Sequence, residues 1–154
     1  SPCRFQRTGA WSTSKVNLER AIEIAVVAHK SQKDKSGAPY ILHPLRVMLS
    51  LSSDEDRIVG VLHDVVEDTS WTFDQLREEG FSEEVLAALD TVTKRENEYY
   101  PDFISRSAGN AIGRRVKIAD LRDNMDSPRI PEPTEKDLRR IEKYKQAMTQ
   151  LEAD

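Results

Sequence analysis

The sequence predicts an all-α protein that forms a single domain. Apolar residues recur at the three- and four-residue spacing of amphipathic helices, and no stretch reads as a convincing strand. Charged residues make up 32% of the chain and hydrophobic residues 38%, a balance that suits helices with a solvated surface. At 154 residues the chain is long enough to bury one core. We therefore expect one domain over residues 17–152, after a tail or lead-in over residues 1–16.

Charge and hydropathy exclude two classes of partner. The formal net charge is -4 and no basic tract dominates, which argues against binding nucleic acid through bulk charge. The apolar runs are only a few residues long, too short for a membrane span of about 20 residues. The N-terminus has no apolar signal segment and Cys3 is the only cysteine, so we expect a protein of the reducing cytoplasm. The pattern leaves open whether the chain forms a homo-oligomer.

The first helix is expected from about Asn17 to Gln32, followed by a loop over residues 33–40 that is rich in breakers and basic side chains. His29 ends the apolar stripe of this helix, and a core-edge histidine bonded to backbone is favoured there over a metal ligand. The predicted stripe consists of Leu18, Ala21, Ile22, Ala25, Val26 and Ala28.

The next two helices bring two histidines into register. His43-Pro44 opens the second helix, because proline is tolerated in a helix's first turn. A turn at residues 51–53 leads to a third helix with an acidic first turn, which the helix dipole favours. If the two helices form an antiparallel pair, His43 and His63 lie about ten residues either side of the turn and meet at the far end of the pair.

The third helix leads into the most informative segment, Val61–Thr69. His63 and Asp64 lie inside an apolar run, and Glu67 and Asp68 follow them at a spacing of four residues. Buried polar groups cost free energy unless they are paired or bind a metal, so the cluster predicts a divalent ion. The two later acids can then act on water as general base or acid, or else cap the following segment.

Capping signals place the remaining helices. A capping box of Thr72 and Gln75 predicts a short helix that Gly80 closes. Ser82 is expected to cap a helix through about residue 93, and further helices are expected at residues 101–107 and 111–125 and after the cap Thr134. In the last helix, the residues expected to face inward are Leu138, Ile141, Tyr144, Met148 and Leu151.

Asp120 and Asn124 are spaced by four residues and therefore share one helix face, with Lys117 nearby. Two readings fit equally well: a metal ligand with a substrate contact one turn away, or a solvated helix with a Lys117–Asp120 ion pair. Two histidines with two aspartates form a mixed nitrogen and oxygen ligand set, which suits Mn²⁺, Fe²⁺ or Zn²⁺ better than Ca²⁺.

Basic and aromatic side chains indicate a substrate with phosphate groups. Lys33 and Lys35 precede His43, and Arg140 and Tyr144 share one face of the last helix. Cations suit phosphates and a flat side chain suits a base, although a surface arginine above a core tyrosine is slightly favoured for the latter pair. No P-loop and no nucleophile elbow occur, which argues against an ATP-driven motor and against a serine or cysteine triad.

With these residues assembled, the chain resembles the HD superfamily of metal-dependent phosphohydrolases. More narrowly, it resembles the hydrolase domain of RelA/SpoT-type proteins and the small stand-alone alarmone hydrolases. The resemblance spans about Ala28 to Met125 and rests on the stretches AHKSQKDKSGAPYILHPLRV, VLHDVVEDTSWTFDQL and VKIADLRDNM, and on the VTK that ends at Lys94. It implies an HD-type helical bundle that hydrolyses the 3′-pyrophosphate of (p)ppGpp.

The resemblance also implies roles for individual residues. The expected ligands of one metal ion, usually Mn²⁺, are His43, His63, Asp64 and Asp120. The expected pair acting on water is Glu67 and Asp68. The residues expected near the nucleotide are Lys35, Asn124, Ser127, Arg140 and Tyr144. Three features depart from the pattern: Asp34 replaces a usual arginine, the region between Lys94 and Asn110 is short, and residues 122–126 are more acidic than usual.

Two other functions fit the same residues. One is an HD-type nucleotidase that acts on another nucleotide, and the other is a nucleotide sensor that keeps the metal without turnover. Turnover of a nucleotide panel separates the first from an alarmone hydrolase, and binding without turnover identifies the second.

Overall fold

The computed structural model describes residues 17–126 and 132–153. Its helices are α1 (Leu18–Ala28), α2 (Leu42–Leu49), α3 (Asp54–Leu62), α4 (Val65–Asp68), α5 (Phe73–Glu79), α6 (Glu83–Thr91), α7 (Tyr100–Ala108), α8 (Ala111–Asn124) and α9 (Glu135–Glu152). No strand occurs in these residues, where the sole β-type pairing is an isolated bridge between Lys33 and Pro39. The all-α prediction is confirmed. The predicted tail over residues 1–16 lies outside the described residues.

Several helices begin at capping residues, whose side chains accept hydrogen bonds from backbone N–H groups that lack an intrahelical partner. Asn17, Ser53, Ser82 and Thr134 cap α1, α3, α6 and α9 in this way. Thr72 forms the predicted capping box of α5 with Gln75. Gly80 ends α5 with a φ of 108°, a left-handed conformation that glycine adopts without strain.

Helix α3 is the centre of the main core. Val59, Val61 and Leu62 are fully buried there, and α1, α2, α6 and α8 all contact this helix. A second, smaller core joins α7, α8 and α9 through Ile104 and Leu121. Helix α8 contributes to both cores, so the side chains along its length are fixed from two sides.

Two predicted core positions were wrong. Val26 is 45% exposed, because the buried face of α1 runs through Ala21, Ile24 and Ala25 instead. Leu138 is 56% exposed, because it lies near the start of α9 and the contacts of this helix with the second core begin further along, at Tyr144.

The chain changes direction between α3 and α4, and this change positions the site. His63 ends α3 with helical backbone angles, and Asp64 begins α4 with φ -105° and ψ 1°. The break turns both side chains toward α8. None of the described helices is long and apolar enough to cross a membrane.

Candidate active site

His43 and His63 face each other across the α2–α3 pair, as the antiparallel arrangement predicts. Their ring centroids lie 5.1 Å apart and both side chains are buried. In each ring, Nδ1 donates a hydrogen bond: to Asp123 Oδ2 at 2.6 Å in His43, and to the Gly60 carbonyl at 2.6 Å in His63. These bonds place the proton on Nδ1, so the lone pair of each neutral ring is on Nε2.

Asp120 lies between the two histidines. Its Oδ1 is 2.9 Å from Nε2 of His43 and 3.3 Å from Nε2 of His63. Lys117 Nζ donates to its other oxygen at 2.9 Å, and Asn124 Nδ2 donates to Oδ1 at 3.0 Å. The Lys117–Asp120 ion pair therefore exists, but Lys117 is only 8% exposed, so this face of α8 is not solvated.

Asp64 approaches the same point from the start of α4. Its Oδ2 lies 3.1 Å from Nε2 of His63 and 3.8 Å from Nε2 of His43. The hydroxyl of Tyr40 donates a hydrogen bond to this oxygen. Tyr40 was not predicted from the sequence, and it packs between the rings of His29 and His43.

These residues fit a divalent metal ion. The ligand atoms of His43, His63 and Asp120 all lie within 4.8 Å of one another. Nε2 of His63 is buried and has no hydrogen-bond partner among the described residues, although two carboxylate oxygens face it. A lone pair that faces carboxylates is stable only if a cation lies between them or the ring is protonated.

The same geometry shifts the pKa values in the protein without metal. Burial alone would lower the pKa of His63, but the charges of Asp64 and Asp120 outweigh it, so the pKa lies well above its usual value. Burial alone would raise the pKa of Asp120, but Lys117 and the two histidines hold it well below the usual value. The site is therefore built to hold positive charge against ionised carboxylates.

The two later acids lie at the opening of the site. Glu67 Oε1 accepts a hydrogen bond from the backbone N–H of Lys94 at 2.9 Å. Partial burial raises the pKa of Asp68 to about 6, and the charges of Asp64 and Glu67 act in the same direction. Both acids line a cavity of about 370 Å³ that has Asp120 and His43 in its wall.

A second cavity of about 260 Å³ adjoins the first, and Tyr40, Asn124 and Tyr144 line both. The structure brings five of the predicted substrate residues to this second cavity: Lys33, Lys35, Asn124, Arg140 and Tyr144. Ser127, the sixth, lies outside the described residues.

The geometry agrees with what comparisons with known proteins find. A guanosine-3′,5′-bis(diphosphate) 3′-pyrophosphohydrolase of Aquifex aeolicus is 35% identical over 120 residues, which cover 70% of this chain and 17% of that protein. A probable GTP pyrophosphokinase of Mycobacterium leprae is 37% identical over 129 residues, which cover 75% of this chain and 16% of that protein. The chain thus spans about a sixth of the length of these relatives. No family model matches the chain.

A solved structure shares the fold. It is that of a metazoan ortholog of SpoT that hydrolyses ppGpp, and it superposes with a TM-score of 0.72 over 90% of this chain and 86% of that chain, at 21% identity. This chain is an HD domain of the RelA/SpoT type. The predicted HD-type bundle is therefore confirmed.

Sequence reasoning missed several residues that line the pocket of this RelA/SpoT-type domain. The cavity of about 370 Å³ is also lined by Tyr100, Glu98 and Lys143. Lys143 Nζ lies 4.2 Å from the ring centroid of Tyr100. Lys94 also lines this cavity, and its place in the resemblance was the only signal available. The others come from helices or loops whose mutual approach no local pattern indicates.

His29 is buried, as expected for a core-edge histidine, but its partner is not backbone. Its Nδ1 bonds Gln32 Oε1 at 2.9 Å, and burial lowers its pKa. Asp34 has a local structural role. Its Oδ1 accepts hydrogen bonds from the backbone N–H groups of Ser36 and Ala38, at 2.9 and 3.0 Å, so this carboxylate orders the loop that carries the two lysines.

Proposed function

We propose that this domain is a metal-dependent phosphohydrolase that releases pyrophosphate from the 3′ position of (p)ppGpp, giving GDP or GTP. The observation that carries the proposal is the convergence of His43, His63 and two aspartates beside a cavity. His43, Asp64 and Asp120 line that cavity together with further acids and cations. The names of the relatives support the choice of substrate.

The residues that would hold the metal are His43, His63, Asp64 and Asp120. A divalent ion supplies Lewis-acid chemistry, polarising a phosphoryl oxygen and lowering the pKa of water. Of the ions that a mixed nitrogen and oxygen set binds, we propose Mn²⁺, with Fe²⁺ and Zn²⁺ as alternatives. Asp120 also keeps its bond to Lys117, which fixes the orientation of the carboxylate on α8.

Asp68 and Glu67 would act on the attacking water or the leaving group as general base or general acid. A carboxyl group with a pKa of about 6 exchanges a proton readily near neutral pH, so Asp68 suits a general acid or base. Glu67 accepts a hydrogen bond from the Lys94 N–H, which ties the segment between α6 and α7 to α4 at the mouth of the cavity. Both side chains line the same cavity as His43.

The two cavities suit the two ends of the nucleotide. The cavity of about 370 Å³ is lined by three lysines that would bind the phosphates: Lys94, Lys117 and Lys143. Glu67 and Asp68 line the same cavity. In the smaller cavity, Tyr144 offers a ring for the base and Arg140 a guanidinium group. Asn124 lines both cavities and would contact the sugar or the phosphate between them.

Turnover of ppGpp tests the proposal. The purified protein, loaded with Mn²⁺, is incubated with ppGpp and with a panel of nucleoside mono-, di- and triphosphates, and pyrophosphate release is measured. We expect pyrophosphate from ppGpp, none after chelation, and none from Asp64→Ala. Turnover of another nucleotide but not of ppGpp would refute the alarmone assignment, and tight binding of ppGpp without turnover would identify a sensor.

A further inference from the structure

The acidic stretch after Asp120, which departs from the pattern of the related hydrolases, has a use in the structure. Asp123 projects from α8 toward the side of His43 that faces away from the metal-binding atoms. Its Oδ2 accepts a hydrogen bond from Nδ1 of His43, with 2.6 Å between the two atoms, and its side chain is 11% exposed. Asp123 therefore contacts the one ring nitrogen of His43 that a metal ion would leave free.

A second side chain fixes Asp123. Arg46 lies one turn after His43 on α2, and its Nε donates to Asp123 Oδ1 at 2.7 Å. Its Nη2 donates to Oδ2 at 3.1 Å, so the guanidinium group binds both carboxylate oxygens. A two-point pair of this kind holds a carboxylate in one plane, which a single hydrogen bond does not.

A carboxylate behind a histidine ligand has a known physical effect. It fixes which ring nitrogen carries the proton, orients the ring, and makes the other nitrogen a stronger electron donor. His63 has only a backbone carbonyl in the equivalent position, from Gly60. A carbonyl orients a ring but carries no net charge, so the two histidines differ in donor strength.

We propose that Asp123 is a positioning residue for the metal centre, which holds His43 with Nε2 toward Asp120 and strengthens it as a ligand, while Arg46 anchors Asp123. The inference rests on the metal site of the proposed function and not on the identity of the substrate.

The chain offers a matched control on the same helix, α8. Asp56 on α3 and Arg115 on α8 form a second two-point ion pair, with distances of 2.6 and 3.0 Å. The Asp56 side chain is 6% exposed, close to that of Asp123. The side-chain hydrogen bonds of Asp56 go to Arg115 and not to either histidine, so its loss should affect folding alone. Both pairs line one cavity of about 940 Å³.

The experiment measures Mn²⁺ binding to the whole chain by competition with a chelator, for the wild type and for Asp123→Ala, Asp123→Asn and Asp56→Ala. We expect Asp123→Ala to raise the dissociation constant by about 10- to 100-fold. Asp123→Asn should raise it by less, since an amide oxygen still accepts the Nδ1 proton. Asp56→Ala should bind Mn²⁺ like the wild type. In the Zn²⁺-loaded wild type, nitrogen NMR should show the His43 proton on Nδ1.

Two results would overturn the inference: equal Mn²⁺ affinity in Asp123→Ala and Asp56→Ala, or a His43 proton on Nε2. If Asp123→Ala does not fold, Asp123→Asn decides, and an unchanged dissociation constant there counts against the inference. The outcome is separable from the proposed function. Weaker Mn²⁺ binding in Asp123→Ala without any ppGpp turnover by the wild type would sustain this inference and refute the alarmone assignment.

Discussion

Replacing Lys117 by methionine tests whether this lysine offsets the charge of Asp120 when no metal is bound. Lys117 Nζ lies 2.9 Å from Asp120 Oδ2 and 4.7 Å from the centroid of the Phe103 ring, and it is 8% exposed. Burial alone would lower its pKa, but the charge of Asp120 outweighs this, so the pKa is raised. Removing the lysine leaves a buried carboxylate without its nearest cation.

The expected loss of stability can be estimated from that contact. Removing one partner of a buried ion pair costs about 3–5 kcal/mol. We expect the lower end, about 3 kcal/mol, because His43 and Asn124 still contact Asp120. For a chain of this size, each kcal/mol corresponds to about 2–4 °C, so the melting temperature should fall by about 6–12 °C.

The measurement is thermal unfolding by circular dichroism, with chelator and then with saturating Mn²⁺. Lys143→Met is the control, because Lys143 also packs over a ring in the same cavity, that of Tyr100 at 4.2 Å. Burial and nearby cations lower the pKa of Lys143, so its loss should cost less than about 1 kcal/mol. Mn²⁺ should narrow the gap between Lys117→Met and the wild type, since the ion replaces the lost charge. Equal losses in the two variants without metal would refute the reasoning.

Three further predictions concern the acids and the tyrosines. Asp68→Asn should lower turnover by about 10²- to 10⁴-fold with unchanged Mn²⁺ affinity, and weakened metal binding would contradict a proton-transfer role. Tyr40→Phe should weaken Mn²⁺ binding by about tenfold, because its hydroxyl donates to the carboxylate of Asp64, a proposed ligand. Tyr100→Phe should not weaken it, because the buried hydroxyl of Tyr100 has no partner among the described residues. Arg106 holds the pKa of Glu98 at about 2, below the usual 4.5, so the pair stabilises the fold fully above pH 4.5 and loses this as pH falls toward 2. In urea, the free energy of unfolding of Glu98→Gln should therefore be ~1–3 kcal/mol below that of the wild type at pH 6. This difference should shrink below pH 4, and a difference that is constant with pH would contradict the role of the ion pair.

Much of the helical framework could be read from local sequence. Caps such as Ser53 and Thr72 act on backbone groups within three residues, so their effect does not depend on the rest of the chain. Helix periodicity placed His43 and His63 opposite each other, because an antiparallel pair with a short turn fixes its own register. The cluster of polar residues at 63–68 predicted a metal site, because burying such groups costs free energy unless they are paired or bind a metal.

Where local pattern was ambiguous, the packing of α8 decided. The sequence allowed Lys117 and Asp120 to be a solvated pair, and only contact with α2, α3 and α7 buries them. The same contacts bring Asp123 behind His43, across 80 residues of chain. The exposure of Val26 and Leu138 likewise depends on which other helices pack against α1 and α9, and not on the apolar pattern within each helix.

The sequence alone was enough to indicate the candidate metal ligands, since histidines and aspartates within apolar runs cost free energy to bury unless they have a partner. Tertiary structure decided how those residues are supported, through Tyr40, Asp123 and Lys117. Support depends on distances between side chains far apart in the chain, and these are set when the α8 side chains are fixed between two cores.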